Sequence, residues 1–297
     1  MEQQHVLGVH GIKQGMTSQR ELTKSWRDAL ERGVNQLQSP TVPLAERALV
    51  PTLRVPHWSA LLADDDGRLS TQEGLPDETT PYTADEESFV VQALDDLLTP
   101  QERAQAAHVD PTTLGVIKVP ARITQRAITL DRRKPDGLVG KLIRVLREVH
   151  TYLTDPDLAA DVRKHVLQDA DEHTTVLIGH SLGSVIAYDM LRYEELAAPG
   201  TAGAAVHTLV TCGSPLAIPT VQRGLGISEG RLAGTAPHIR WINVFDPGDV
   251  VTGGAGLALA ADGVTDFAVS NGVRDPHAAT KYLRTAPVAR AVTTAGS

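Results

Sequence analysis

The sequence predicts an α/β fold: a mostly parallel central sheet with helices on both faces and an inserted, cap-like segment. Three observations predict it. Short apolar runs ending at turn residues recur along the chain, most regularly after residue 173. Segments with helical periodicity stand between them. The apolar runs are also nearly continuous rather than alternating, as expected of strands buried on both sides in a parallel sheet.

The elements follow in order. Residues 5–11, "HVLGVHG", read as a buried strand stopped by a glycine turn. Residues 17–37 read as a helix with Leu22, Trp26, Leu30 and Val34 on one face and Thr17 or Ser18 as its cap. Residues 47–62 read as a strand kept near a sheet edge by Pro43, Pro51 and Pro56. Residues 64–87 carry nine acidic residues against one arginine, the pattern of a solvated loop or flap. Residues 87–98 return to helix through Val90, Val91, Leu94, Leu97 and Leu98. From Lys118 to Arg147 there are nine basic residues against two aspartates, ending in a helix over 137–153. Such a helix could lie on a membrane surface, but a wide apolar face more simply packs on the core with its Arg and Lys in water. A helix over 156–173 leads into a strand at 174–179, a helix at 183–196 and a strand at 206–213. After a loop rich in Gly and Pro come strands at 238–245 and 264–270 and a helix at 277–284. One domain is expected over 1–297, with an insertion at about 64–135 and a flexible tail at about 286–297.

Composition narrows the function classes. The 297 residues carry a formal charge of −8, so they lack the basic field that nucleic-acid binding needs. A single cysteine, Cys212, excludes an intramolecular disulfide framework and any cysteine-based zinc cluster. The histidines show no metal-ligand spacing, and no glycine-rich loop matches a phosphate or dinucleotide fingerprint, so neither metal nor cofactor is expected. No basic region precedes an apolar stretch at the N-terminus, and no run approaches the length of a spanning helix. The expectation is a cytoplasmic protein without stable membrane insertion.

The chemistry gathers around "TTVLIGHSLGSVIAYD", residues 174–189, where an apolar strand runs into an apolar helix about Ser181. A serine hydroxyl attacks at neutral pH only when a base takes its proton. A sharp strand-to-helix turn lifts the oxygen clear of the sheet and aims the first helical N–H groups at the reacting centre. Gly179 and Gly183 make room for such a turn. This G-x-S-x-G in its strand–turn–helix setting is the nucleophile-elbow pattern. On "GHSLG" at 179–183 and "TCGSPL" at 211–216, the chain resembles the α/β-hydrolase superfamily, particularly its lipase and esterase branches. The resemblance covers residues 5–15 and about 174–283.

It implies a serine, an acid and a histidine in that chain order. His277, after the last expected strand and at the mouth of a helix, takes the place of the base. The acid belongs just past a strand end, and "WINVFDPGDVV" offers two candidates. Asp249 stands in a context similar to the D-x-V segment of lipases; Asp246 is the alternative and could simply stabilise the Pro-Gly turn. The oxyanion donors implied are the backbone N–H of Leu182 and one from "GVHGIKQG", Ile12 first and Gly11 next. Relatives often continue that turn with Asn or a second Gly, whereas here it is Ile-Lys-Gln, so the second donor stays open. His10 and His180 are expected to buttress their loops, and Cys212 to be an inert core residue.

The function expected is hydrolysis of a carboxylic ester, small or lipid-like, through an acyl-enzyme. Thioesterase, amidase or peptidase, and acyltransferase chemistry are compatible with the same residues, and a non-catalytic binding module is the rival from another class.

Overall fold

The computed structural model describes residues 5–11, 17–38, 50–62, 81–110, 119–133, 138–193, 206–227 and 231–293. Six parallel strands form one sheet in the order β2-β1-β3-β4-β5-β6. They are β1 (His5–Val9), β2 (Thr52–Arg54), β3 (Thr174–His180), β4 (Thr208–Cys212), β5 (Arg240–Phe245) and β6 (Val264–Ala268). The proline-flanked β2 is indeed an edge strand.

The chain steps outward from β1 to β2, then returns past β1 to β3. Right-handed crossovers in opposite directions lay their helices on opposite faces of a sheet. Helix α1 (Gln19–Leu37) therefore covers one face, and the five helices between β2 and β3 lie on the other. Those five are α2 (Ala84–Asp96), α3 (Pro100–Ala106), α4 (Ala121–Asp131), α5 (Leu138–Thr154) and α6 (Pro156–Leu167). They are joined on that face by α7 (Leu182–Arg192) and α8 (Pro219–Gly224), while α9 (Ala279–Leu283) and α10 (Ala286–Thr293) return to α1.

Strand alternation divides the core accordingly. Val6, Val176, Ile178, Val210 and Val244 face α1, α9 and α10; Leu7, Val9, Leu177, Leu209 and Trp241 face the larger helical layer. Helix α1 starts with a capping box in which Ser18 accepts from the amide of Glu21 and the Glu21 carboxylate accepts from the amide of Ser18. Its buried face is Leu22, Trp26, Ala29, Leu30, Gly33 and Val34.

Five expectations need correcting. The segment from 286 is not a frayed tail up to residue 293: α10 buries Val288, Ala289, Ala291 and Val292 beside α1, an apolar face built from small residues. Arg147 on α5 is not in water but buried against Glu86 of α2, with its guanidinium 4.0 Å from the centre of the Tyr82 ring. The excursion between β2 and β3 has no boundary at 135, since α4, α5 and α6 continue one layer. The strand expected over 47–62 is, among the described residues, only β2, and Trp58–Leu62 coil into a 3₁₀ helix instead. The basic stretch also holds a helix, α4, through Ile123, Ala127 and Leu130. Most of the acidic loop, residues 63–80, lies outside the described residues, as do 294–297. Among the described residues no helix is long and apolar enough to cross a membrane.

Candidate active site

Strands β1 and β3 are neighbours whose connections leave in opposite directions. In open α/β sheets the crevice beyond the carboxyl ends of such strands is where ligands bind. Ser181 sits there, between the end of β3 and the start of α7. Its backbone has φ 56 and ψ −129, left-handed and sparsely populated for a residue with a β-carbon. The turn is held from outside: the Ser181 amide donates to the Cys212 carbonyl of β4 at 3.1 Å, and the Ser184 amide to the Ser181 carbonyl at 2.9 Å. The two flanking glycines are sterically required. A β-carbon on Gly183 would lie 2.0 Å from the Val9 carbonyl oxygen, and one on Gly179 would lie 2.5 Å from the Ser184 Cα.

His277 reaches Ser181 from the loop after β6. Its Nε2 is 3.0 Å from Ser181 Oγ, and its Nδ1 is 2.7 Å from Asp249 Oδ2. The carboxylate can only accept, so Nδ1–H donates to Asp249 and the Nε2 lone pair accepts from the serine hydroxyl. All three residues are buried. Asp249 stands just past β5, where its Oδ1 also accepts from the Val251 amide at 3.0 Å. Burial alone would raise its pKa, but attraction to His277, its hydrogen bond and those from Tyr282 and Val251 hold the carboxyl below its usual value. Asp246 turns away: it accepts from the amides of Gly248 and Asn271 and braces the two loops. Of the two candidate acids, the structure brings only Asp249 to the histidine.

Two supports escape a reading of the sequence. The Tyr282 hydroxyl donates to Asp249 Oδ2 at 2.8 Å and accepts from the Asp246 amide at 3.1 Å. On α9 it looks like one more core aromatic, and nothing in its spacing marks the hydroxyl. His180 donates from Nε2 to the His277 carbonyl at 2.8 Å. Burial, then the neighbouring His277, lower the His180 pKa to about 3, so its ring is neutral. His10 is likewise held neutral, its pKa lowered by burial to about 4, and stacks on Trp58 with ring centres 4.9 Å apart. Both histidines brace the loops, as their positions suggested. Cys212 is fully buried, which pushes its thiol pKa up and makes it inert.

Leu182 is the first residue of α7, so its N–H has no carbonyl one turn back to bond. Gly11 lies directly against Ser181: a β-carbon there would come within 2.7 Å of Ser181 Cβ. Ile12, the other donor candidate, lies outside the described residues. An open cleft of about 210 Å³ reaches this point, lined by Ser181, His277, His10 and Gly11 and by Lys141, Arg144, Val145 and Glu148 of α5. Lys141 reaches across to Asp275 in the His277 loop at 2.5 Å. Among the described residues no group of three or more His, Cys, Asp or Glu could hold a metal ion.

The chain was compared with protein-family models, curated proteins and solved structures, and none of the three comparisons gave a match.

Proposed function

We propose that this chain is a serine hydrolase with the α/β-hydrolase fold, cleaving carboxylic esters through an acyl-enzyme. The observation that carries the reading is the unbroken chain of hydrogen bonds Ser181–His277–Asp249, ending on a serine held in a strained turn at the sheet's switch point. Support also comes from α7, whose first N–H groups face the nucleophile, and from the cleft that opens onto it.

The steps follow from the geometry. Ser181 Oγ attacks the ester carbonyl carbon while its proton passes to His277 Nε2. Asp249 accepts from Nδ1–H and stabilises the imidazolium without taking a proton itself. The carbonyl oxygen becomes an oxyanion facing Leu182 N–H and a second donor at Gly11 or Ile12. The tetrahedral species collapses: the carbon–oxygen bond to the alcohol breaks, and the alcohol leaves with the proton from Nε2. Water then gives a proton to Nε2 and attacks the acyl carbon, and Ser181 departs with that proton restored. The helical excursion between β2 and β3 serves as the cap, with α5 supplying one wall of the substrate cleft.

A binding module would have no use for a strained serine and a complete proton relay. The same relay would accept thioesters and amides, so a library of esters, thioesters and amides is the way to rank acyl substrates. Ser181→Ala is expected to lower kcat on a p-nitrophenyl acyl ester by a factor on the order of 10⁴–10⁶ and to abolish labelling by a fluorophosphonate probe. Unchanged turnover in a folded Ser181→Ala protein would sink the reading.

A further inference from the structure

The two edges of the sheet are finished differently. At one edge β2 is three residues long, stands between Pro51 and Pro56, and gives way to the 3₁₀ helix Trp58–Leu62. Short strands and flanking prolines keep an edge from pairing with another chain. At the other edge β6 has none of these. Its five residues, Val264–Ala268, include no proline or lysine, and they follow β5 without a break in register. That register shows which backbone groups lie open. The Val269 amide donates to the Phe245 carbonyl of β5, so Phe267 and Thr265, two and four residues back, face β5 as well. The N–H and C=O groups of Val264, Asp266 and Ala268 therefore face outward, and among the described residues no strand pairs with them. The one charge on the strand is satisfied within its own chain. Asp266 accepts from Asn243 Nδ2 and from the amides of Leu257 and Ala258 at 2.8, 2.9 and 2.7 Å. Those amides hold the preceding loop against Asp266, in the middle of the strand. Leu259, the next residue in that loop, is 94% exposed, more than any other large apolar side chain among the described residues.

We propose that β6 is the interface of a homodimer, in which two copies of the chain pair their β6 strands antiparallel about a two-fold axis at Asp266. Self-complementarity points to a second copy as the occupant. The outward residues are spaced evenly about Asp266, so the axis sets Asp266 opposite its own copy and Val264 opposite the partner's Ala268. Each is a pair that exchanges both backbone hydrogen bonds, and every outward group is then satisfied. Thr265 falls beside the partner's Phe267, a β-branched and aromatic cross-strand pair. The axis stands perpendicular to the joined sheet, so both Leu259 side chains come to the same face close to it, where each shields the other from water. The Asp266 carboxylates, already bonded within their own chains, do not meet there as bare charges. This inference does not depend on the hydrolase reading.

The test is the mass of the full chain by sedimentation velocity, from about 1 to about 100 µM. The unmodified protein should reach twice its chain mass of 31.8 kDa within that range. Ala268→Pro removes an outward N–H and no bond to β5, so it should leave the fold intact and the protein monomeric. Leu259→Asp, in an exposed loop, should raise the dimer dissociation constant about tenfold or more. Leu61→Asp, beside the blunted edge, should leave the dimer unchanged. Hydrogen exchange supplies the second measurement: the Asp266 amide should exchange more slowly at about 100 µM than at about 1 µM, and the difference should vanish in Leu259→Asp. An unmodified protein that stays monomeric throughout overturns the proposal, including the case in which β6 pairs only with a strand of another protein. A dimer that survives both Ala268→Pro and Leu259→Asp, or an Asp266 amide indifferent to concentration, overturns it as well. Circular dichroism melts check that each variant folds, and Leu259→Asp with the exchange data carries the test if Ala268→Pro does not.

Discussion

The two faces of the sheet are covered by different kinds of packing. Under α1, α9 and α10, the contact surface is made of Val6, Leu22, Trp26, Leu30, Val176, Ile178 and their neighbours. On the opposite face an apolar base is crossed by buried and partly buried polar ties. Arg147 forks onto Glu86 between α5 and α2, and Arg126 forks onto Asp95 between α4 and α2 at 2.8 and 3.0 Å. Asp189 of α7 gathers Tyr152, Arg163 and Arg192. The simple face is a base plate. The tied face carries the cleft, where directional bonds set the spacing of helices that line a cavity. Apolar contact alone fixes spacing less sharply, since hydrophobic attraction has no direction.

That contrast can be broken at one pair. Glu86→Ala strands Arg147 as a buried charge and should cost about 3–5 kcal/mol in urea unfolding, while Glu86→Leu with Arg147→Met should recover most of the loss. On the base plate, Leu30→Ala should cost about 2–5 kcal/mol through its cavity alone, and no partner substitution of this kind should rescue it. If the double variant is no better than Glu86→Ala, the tie supplies net stability as well as geometry.

Acid should act on the site side first. His10 and His180 are held neutral with pKa values lowered to about 4 and about 3, whereas in the unfolded chain each titrates near 6.5. Above pH 6.5 both states are neutral and the native advantage is whole. As pH falls from 6.5 towards 4 and 3, the unfolded chain takes up protons that the native one refuses, and stability declines. At pH 5 this amounts to on the order of 2 kcal/mol for each ring. Urea midpoints measured at pH 7 and pH 5 should show it, and His180→Asn should flatten part of the slope. A flat profile in the unmodified protein would contradict the buried neutral assignment.

The smallest expected effect sharpens the comparison at the meeting of the two faces, where Tyr282 of the base plate touches the site. Tyr282→Phe removes one of the donors that hold the Asp249 carboxyl below its usual value, so that carboxyl should take up a proton at higher pH. The loss of kcat/KM on acidification should therefore set in at higher pH, with a loss of about 1 kcal/mol in stability. A purely structural tyrosine would alter stability and leave the pH profile in place.

Much of this site was legible because its chemistry is tied to strand ends. Ser181, Asp249 and His277 each follow a strand that apolar patterning locates, and their order along the chain gave the roles proposed for them. What sequence could not separate was Asp246 from Asp249, three residues apart in one turn; only the fold shows that Asp246 braces amides and Asp249 faces the imidazole. Helix α10 was hidden by its small residues, and α4 by the charge density around it. Arg147 looked like a solvated cation because its partner is 61 positions away. Patterning reports which face is apolar. It does not report which polar groups find each other across helices.

The bond from His180 to the His277 carbonyl has a consequence for the reaction cycle proposed above. His180 adjoins Ser181 in the chain, so this bond staples the backbone of His277 to that of the serine by a path separate from the Ser181–His277–Asp249 side-chain chain. The strut ends on a carbonyl rather than on the imidazole, and its own ring is held uncharged by burial. In the proposed cycle the frame therefore need not relax and reset at each proton transfer. Attack, departure of the alcohol and entry of water would all occur against one fixed gauge.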